Sequence, residues 1–164
     1  MKIIECPRDA MQGFSKFIPT DKKINYINEL LKVGFDTIDV GSFVSKEKIP
    51  QLADTSNVIK SINMNNTTTK LLVIVGNERG ANEAVNFDEI SYLGFPFSIS
   101  ETFQKRNINS SVKDSLKRLE NIQNLCVKTN KKLVTYLSMA FGNPYGDDWS
   151  ADLVAHWATT LEMR

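Results

Sequence analysis

The chain of 164 residues has little of what marks specialised protein classes. Its two cysteines, Cys6 and Cys126, lie far apart and lack metal-site spacing, which argues against a disulfide scaffold or a zinc module. We expect both thiols to be buried as small apolar groups. The one histidine, His156, falls on a predicted helix, where a surface or packing role is expected.

Long hydrophobic runs and an excess of one charge are also absent. No stretch approaches the about 20 apolar residues that a membrane-spanning helix needs. Lys plus Arg total 20 and Asp plus Glu total 19, so the basic excess typical of nucleic-acid binding is missing. The chain passes from Met1 and Lys2 directly into Ile3 and Ile4 of the first predicted strand, which leaves no room for a signal or transit peptide. We therefore expect a cytoplasmic protein with no nucleic-acid and no membrane partner.

Short β-rich runs alternate with longer amphipathic runs along the chain. Strands are predicted at Lys2–Cys6, Phe35–Val40, Lys70–Val75, Glu89–Leu93 and Lys132–Leu137. Helices are predicted at Thr20–Val33, Asp54–Ile62, Asn77–Val85, Val112–Thr129 and Ser150–Met163. This alternation predicts an α/β fold with a parallel sheet, either doubly wound or part of a (β/α)₈ barrel. No glycine-rich phosphate loop follows a strand, which disfavours a nucleotide-binding version.

Functional side chains in parallel α/β folds lie at the carboxyl ends of the strands. Arg8 and Asp9 follow the first strand, where Asp9 can bind a hard cation and Arg8 can stabilise a developing enolate oxygen. A surface ion pair is the alternative for these two residues. Asp39 points into the barrel if Ile38 and Val40 pack against the helices. A buried carboxylate is costly unless paired, and Arg8 is its natural partner in a salt bridge or in an active site.

Five segments resemble, in the same order, those of the 3-hydroxy-3-methylglutaryl-CoA (HMG-CoA) lyases, which are metal-dependent (β/α)₈ barrels. They are Ile4–Gln12, Ile38–Ser45 with Ile49–Gln51, Gly76–Asn77 with Gly80, Ser100–Phe103 with Asn107–Asn109 and Ser111, and Tyr136–Ser138 with Gly142–Tyr145. The resemblance runs along nearly the whole chain. It implies a single domain over residues 1–164 that holds roughly the first five βα units of a TIM barrel, incomplete as given.

The resemblance implies a lyase that cleaves HMG-CoA to acetyl-CoA and acetoacetate with Mg²⁺ or Mn²⁺, a reaction of leucine degradation. Such a retro-aldol cleavage needs a base for the tertiary hydroxyl proton, and a cation and donors for the enolate of the leaving thioester. The implied roles are metal binding for Asp9, catalysis for Arg8 and Asp39, and substrate binding for Gln12, Ser42, Asn107 and Asn109. An acyl-CoA substrate and a homodimer of the full-length enzyme are also implied.

The sequence departs from the family pattern at several positions. Ala10 replaces the usual Gly, Asp39 replaces a Glu, and Met139 and Asn143 replace a pair of cysteines. The shorter carboxylate suggests that a related 3-hydroxyacyl-CoA is an alternative substrate. The family's H-x-H metal pair and reactive-cysteine loop come after the point where this chain stops, and a typical barrel has about 250 residues. We therefore expect a truncated form that is inactive by itself and has aggregation-prone open edges.

Two other readings stay open from the sequence. Condensing enzymes of the same superfamily, such as isopropylmalate and homocitrate synthases, share the Arg-Asp pair, although the run Ser42–Ser45 favours the lyase. A flavodoxin-like binding module, complete at this length, is the alternative that is not an enzyme. It predicts a closed hydrophobic boundary and a stable monomer.

Overall fold

The computed structural model describes residues 1–162, which form a five-stranded parallel sheet flanked by helices. The strands are β1 (Ile4–Glu5), β2 (Thr37–Ser42), β3 (Lys70–Ile74), β4 (Ile90–Ser98) and β5 (Lys132–Ser138). The helices are α1 (Pro7–Gln12), α2 (Thr20–Val33), α3 (Thr55–Ser61), α4 (Glu78–Ala84), α5 (Glu101–Ile108), α6 (Val112–Lys128) and α7 (Ala151–Glu162). Met163, the last residue of the predicted final helix, lies outside the described residues.

The strands lie in the sheet in the order in which they occur in the chain, and each pairs in parallel with the next. A flavodoxin-like sheet instead reverses direction and has the order 2-1-3-4-5. The flavodoxin alternative is therefore wrong. The curled sheet with outer helices is the N-terminal part of a TIM barrel, which confirms the predicted fold class. Within the described residues, β1 and β5 each pair on one side only.

Burial is greatest in the middle of the sheet. All six residues of β2 are buried, whereas six residues of β5 are only partly buried and the seventh is exposed. Ile38 and Val40 belong to the core that β2, β3 and β4 form with the helices, as the alternation predicted. Ile27 of α2 and Ile122 of α6 are fully buried in the same core. A parallel strand normally has both faces covered. The faces of β5, the last strand of the sheet, are only partly covered by the described residues.

Two segments for which no helix was predicted are helical. Helix α1 has Pro7 at its first position, where the missing N–H costs nothing and the fixed φ favours a helix. Helix α5 is capped by Ser100, whose hydroxyl accepts a 3.0 Å hydrogen bond from the Phe103 N–H. Both helices are short, six and eight residues, and lack a long apolar stripe. Periodicity alone therefore could not identify them.

Strand β4 is longer than predicted because Pro96 does not end it. The Gly94 carbonyl accepts a 2.9 Å hydrogen bond from the Val75 N–H, so Gly94 faces β3. Pro96, two residues on, faces the same side. The pairing of β3 with β4 ends at Ile74 and Gly94, so the missing N–H of Pro96 costs no ladder bond.

Particular residues determine where α2 and α6 begin or end. Gly34 ends α2 in the left-handed region with φ 86°. Ser111 caps α6, because its hydroxyl accepts from the Asp114 N–H at 3.0 Å and donates to Asp114 Oδ2 at 2.7 Å. Thr20 is not the cap of α2, because Pro19 occupies that position and the Thr20 hydroxyl donates to Asp54 at 2.8 Å.

The two cysteines differ in environment. Cys126 is buried as predicted, whereas Cys6 is exposed at the end of β1, so the expectation of two buried thiols is wrong for Cys6. The reason is that Cys6 lies beside β1, which has no strand on its other side within residues 1–162. None of the helices in those residues is long and apolar enough to cross a membrane.

Gly80 is expected to tolerate no side chain. A Cβ atom on Gly80 would lie 2.3 Å from the backbone oxygen of Phe43, and backbone cannot move aside as a flexible side chain can. Gly80→Ala is therefore expected to lower the free energy of unfolding by about 2–3 kcal/mol, as overpacking does. Gly13→Ala is the matched control, since nothing lies within 4 Å of its Cβ position. Urea unfolding of both variants measures the effect, and equal stabilities would contradict the close approach.

Candidate active site

Arg8 and Asp39 form an ion pair between α1 and β2. The Arg8 Nε and Nη2 atoms donate to Asp39 Oδ2 at 3.0 and 2.7 Å. The Asp39 side chain is 1% exposed and that of Arg8 is 14% exposed. The pairing predicted from the sequence is therefore present, and it places a guanidinium at the carboxyl end of the sheet.

The other carboxylate oxygen of Asp39 is free to accept a further hydrogen bond. Asp39 Oδ1 is buried and has no hydrogen-bond partner among the described residues. Buried polar atoms without partners are rare in folded proteins, and they often mark a position that a ligand or water fills. Burial raises the pKa of the Asp39 carboxyl, and this outweighs the opposing effect of Arg8. The carboxyl therefore takes up a proton more readily than an exposed aspartate does.

Arg8 also holds two neighbours on its own helix. Its Nη1 atom donates to Asp9 Oδ1 at 2.9 Å and to Gln12 Oε1 at 3.2 Å. Burial opposes the charge on Arg8, but the hydrogen bonds and the charge of Asp39 prevail, so the pKa of the guanidinium is raised. Arg8 therefore stays cationic and connects Asp39 of β2 with Asp9 and Gln12 of α1.

Asp9 is the candidate metal ligand. Its side chain is 71% exposed, so the carboxylate is accessible to a cation. Carboxylate oxygens suit Mg²⁺ and Mn²⁺. No group of three or more His, Cys, Asp or Glu side chains among residues 1–162 is arranged to hold a metal ion. The described residues therefore fit one ligand of a divalent site and do not supply a whole one.

These side chains line one cleft of about 480 Å³ at the carboxyl end of the strands. Five of the predicted site residues line it, namely Arg8, Asp9, Gln12, Ser42 and Asn107. Asp39 lies beneath it through its contact with Arg8. Asn109 is not among the lining residues and ends α5 with φ 51°, a conformation that asparagine tolerates well. The structure thus brings together all the predicted site residues except Asn109.

Ser42 lies at the end of β2 and is 5% exposed. Its hydroxyl donates to the Ile74 carbonyl at 3.3 Å, and its N–H donates to Thr55 Oγ1 at 3.1 Å. The hydroxyl oxygen keeps acceptor capacity toward the cleft. Ser42 is therefore fixed in position by β3 and α3.

Several cleft residues were not predicted as site residues. They are Lys48, Phe103, Arg106, Tyr136 and Ser138. The spacing of two between Tyr136 and Ser138 at the end of β5 is the signal that could have identified both, since alternate strand residues share a face.

Tyr136 remains a neutral hydrogen-bond donor over the physiological pH range. Burial, followed by the charge of Asp39, raises the pKa of its hydroxyl to about 12. A phenol of this kind donates to a developing oxyanion without losing its proton. The side chain therefore adds a donor on the β5 side of the cleft, across the sheet from β1.

The loop after β5 is held to the start of α5 by Asp147. Its carboxylate accepts hydrogen bonds from the Ser100 hydroxyl at 2.5 Å, the Thr102 N–H at 2.9 Å and the Thr102 hydroxyl at 2.9 Å. These bonds hold the pKa of Asp147 below its usual value. Asn143 braces the same loop by accepting from the Asp147 N–H at 3.1 Å.

This loop attachment is expected to be lost in acid. Because the folded pKa of Asp147 is lowered, the stabilisation is present above the unfolded value of about 3.9 and disappears as pH falls through the folded value. Asp147→Ala is expected to melt at a lower temperature than the wild type at pH 7. The difference should shrink steadily below about pH 4. Asp148→Ala is the control, because Asp148 is exposed beside it. A difference between Asp147→Ala and wild type that does not change with pH would contradict this prediction.

Comparisons with known proteins agree with this fold. No protein-family model matches the chain. The cytoplasmic 3-hydroxy-3-methylglutaryl-CoA lyase of Rattus norvegicus is 37% identical over 148 residues, which are 88% of this chain and 42% of the rat protein. The crystal structure of the Bacillus subtilis HMG-CoA lyase superposes with a TM-score of 0.92 and 34% identity, over 99% of this chain and 54% of that one.

A third relative is an HMG-CoA lyase from Acinetobacter baumannii in complex with coenzyme A and 3-methylmalate. It superposes with a TM-score of 0.88 and 28% identity, over 98% of this chain and 53% of that one. The chain thus spans about half the length of the relatives that it matches. By sequence and by fold, the chain is a homologue of the HMG-CoA lyases and corresponds to the N-terminal part of their barrel.

Proposed function

We propose that this chain carries the Arg8–Asp9–Asp39 part of the active site of a metal-dependent lyase that cleaves HMG-CoA to acetyl-CoA and acetoacetate. One observation carries the proposal: Arg8 is fixed by the buried Asp39 and holds the exposed Asp9 at the rim of a cleft of about 480 Å³. A cleft of this size accommodates a short acyl group. The lyase names of the relatives favour carbon–carbon cleavage over the condensing alternative.

The side chains have separate tasks in this chemistry. The Arg8 guanidinium donates to the thioester oxygen as it gains enolate charge, and Tyr136 supplies a second donor from β5. Asp39 holds the guanidinium in a single orientation, because Nε and Nη2 both donate to its Oδ2 atom. Gln12, Ser42 and Asn107 provide polar contacts for the substrate around the cleft.

Asp9 would hold the divalent cation. When bound, Mg²⁺ or Mn²⁺ supplies Lewis-acid polarisation of the substrate oxygens. Asp9 contributes one oxygen ligand, and Arg8 Nη1 orients its carboxylate through a 2.9 Å hydrogen bond. The remaining ligands would come from residues that are not in this chain. We accordingly propose that the chain alone is inactive.

A related 3-hydroxyacyl-CoA is the second candidate substrate. Aspartate at position 39 is one methylene shorter than the glutamate of the family pattern, and its Oδ1 atom has no partner. The free acceptor favours a substrate with an additional donor, and the shorter side chain favours a slightly larger acyl group. Parallel assays with HMG-CoA and its longer 3-hydroxyacyl homologues would separate the two candidates.

The assembly and compartment of the whole protein are part of the same proposal. We propose a homodimer for the full-length enzyme, which sedimentation analysis tests directly. A cytoplasmic location is supported by the name of the rat relative. Both statements concern the whole protein rather than the described half-barrel.

Fusion to a second half-barrel tests the activity. The chain would be joined to the part of the Bacillus subtilis lyase that lies beyond the matched region, and acetoacetate release from HMG-CoA would be measured with Mn²⁺. We expect metal-dependent release by the folded fusion and none by the chain alone. A folded fusion that binds HMG-CoA and Mn²⁺ but releases no acetoacetate would overturn the proposal.

A further inference from the structure

The proposed chemistry does not use a buried polar cluster beneath the β1 side of the cleft. The Lys23 cluster comprises Lys23, Gln51 and Asp54, with Lys23 2% and Gln51 5% exposed. The Lys23 ammonium donates to the backbone carbonyl of Gln51 and, at 2.7 Å, to Asp54 Oδ1. Its Nζ atom also lies 4.2 Å from the ring centroid of Phe17. A buried ammonium of this kind requires partners, and this one has them on three sides.

Gln51 uses its whole side-chain amide to hold one segment of backbone. Its Oε1 accepts from the Ile18 N–H at 2.8 Å, and its Nε2 donates to the Phe14 and Lys16 carbonyls at 3.3 and 3.1 Å. Residues 13–19 form no helix or strand, so these bonds replace the backbone ladder that the segment lacks. One side chain therefore makes three hydrogen bonds to the backbone of this segment.

The held segment and Gln51 each adjoin residues that line the cleft. Residues 13–19 follow directly after α1, which carries Arg8, Asp9 and Gln12. Gln51 lies two residues after Ile49, which lines the cleft together with Lys48. Lys23, which is paired with Asp54, binds the backbone carbonyl of Gln51 and so fixes this residue. Displacement of the Gln51 side-chain amide would therefore shift α1 relative to residues 48–49.

We propose that Gln51 is a positioning residue that sets where Arg8, Asp9 and Gln12 stand in the cleft, with Lys23 and Asp54 holding Gln51 in place. The consequence for substrate binding rests on the proposed function. The consequence for the position of α1 does not rest on the proposed function, and amide hydrogen exchange measures it without a ligand. Gln51 touches none of the reacting groups, so its effect passes through α1.

Amide hydrogen exchange of the whole chain tests the positioning. Gln51→Met keeps the side-chain length but removes all three hydrogen bonds. The amides of residues 8–12 are expected to exchange at least about tenfold faster, since one lost hydrogen bond corresponds to roughly that factor. Amides of β3 should be unchanged. Thr69→Val is the matched control, because it removes a buried 2.7 Å hydrogen bond to the Phe35 carbonyl at the other end of the sheet.

Gln51→Glu supplies a pH-dependent readout. A protonated glutamic acid keeps an acceptor and one donor, whereas a carboxylate faces the Phe14 and Lys16 carbonyls with negative charge. Protection of residues 8–12 relative to wild type is therefore expected to fall between about pH 3.5 and about pH 6, on either side of the glutamate pKa of about 4.3. If Gln51→Met does not fold, Gln51→Glu tests the positioning role by the same exchange measurement at residues 8–12.

Two outcomes would overturn the positioning role. One is unchanged exchange at residues 8–12 in both variants. The other is acceleration that is uniform over the chain and matches Thr69→Val, which would show general destabilisation. HMG-CoA titration of the fusion with the second half-barrel is a separate arm, in which Gln51→Met should weaken binding at least about tenfold. Failure of the wild type to bind HMG-CoA would count against the proposed function and leave the exchange result to decide the positioning.

Discussion

Replacing Arg8 with methionine is expected to lower the free energy of unfolding by about 3–5 kcal/mol, the cost of leaving one member of a buried ion pair without its partner. Asp39 is 0% exposed, and both of the hydrogen bonds that it accepts come from Arg8. Its Oδ1 atom has no partner to compensate. Chemical unfolding of the 164-residue chain at pH 7 measures the loss.

The pH dependence and a double variant identify the cause. Burial already raises the pKa of Asp39, and removal of Arg8 would raise it further. A carboxyl whose pKa is higher in the folded than in the unfolded state destabilises the folded state at neutral pH. This destabilisation should diminish as the solution is acidified and the carboxyl takes up its proton. Arg8→Met combined with Asp39→Leu removes both charges and should recover most of the stability. If the double variant is no more stable than Arg8→Met, the buried charge is not the cause.

Replacing Asp9 with alanine is expected to remove nearly all lyase activity from the fusion with the second half-barrel. Lewis-acid stabilisation is worth several kcal/mol, so the loss of a metal ligand should reduce kcat/KM by about a thousandfold or more. The side chain is 71% exposed, so the free energy of unfolding should change by less than about 0.5 kcal/mol.

Steady-state kinetics and Mn²⁺ titration of the same fusion check this prediction. Mn²⁺ affinity should fall together with kcat/KM. Asp88→Ala is the control, since Asp88 is an exposed carboxylate outside the cleft. Full activity of Asp9→Ala at the Mn²⁺ concentration used for the wild type would contradict the role of Asp9 as a ligand.

Sequence patterns predicted the parts of this molecule that local chemistry determines. The alternation around Asp39 was sufficient to direct its side chain inward and to name Arg8 as its partner, because a buried carboxylate requires a cation. The order of the strands required the structure, since periodicity is the same in a barrel and in a doubly wound sheet. The five collinear motifs, rather than periodicity, predicted the barrel.

Other features depended on contacts between distant segments. The predicted strand ends at Leu93, whereas β4 continues through Pro96 because β3 has already ended beside it, which the sequence does not show. The Gln51 amide reaches backbone more than 30 residues away, so no local pattern predicts its bonds. Tyr136 enters the site only because β4 and β5 pair in the register that places their carboxyl ends together.

The lyase activity of the Arg8→Met and Asp39→Leu double variant, made in the fusion, tests the central claim most directly. This variant should fold with nearly the stability of the wild type, because neither charge is left buried alone. Without the guanidinium it should nevertheless release no measurable acetoacetate from HMG-CoA with Mn²⁺. A stable double variant that still releases acetoacetate at a rate near that of the wild type would show that the Arg8–Asp39 pair is structural and would contradict the proposed active site.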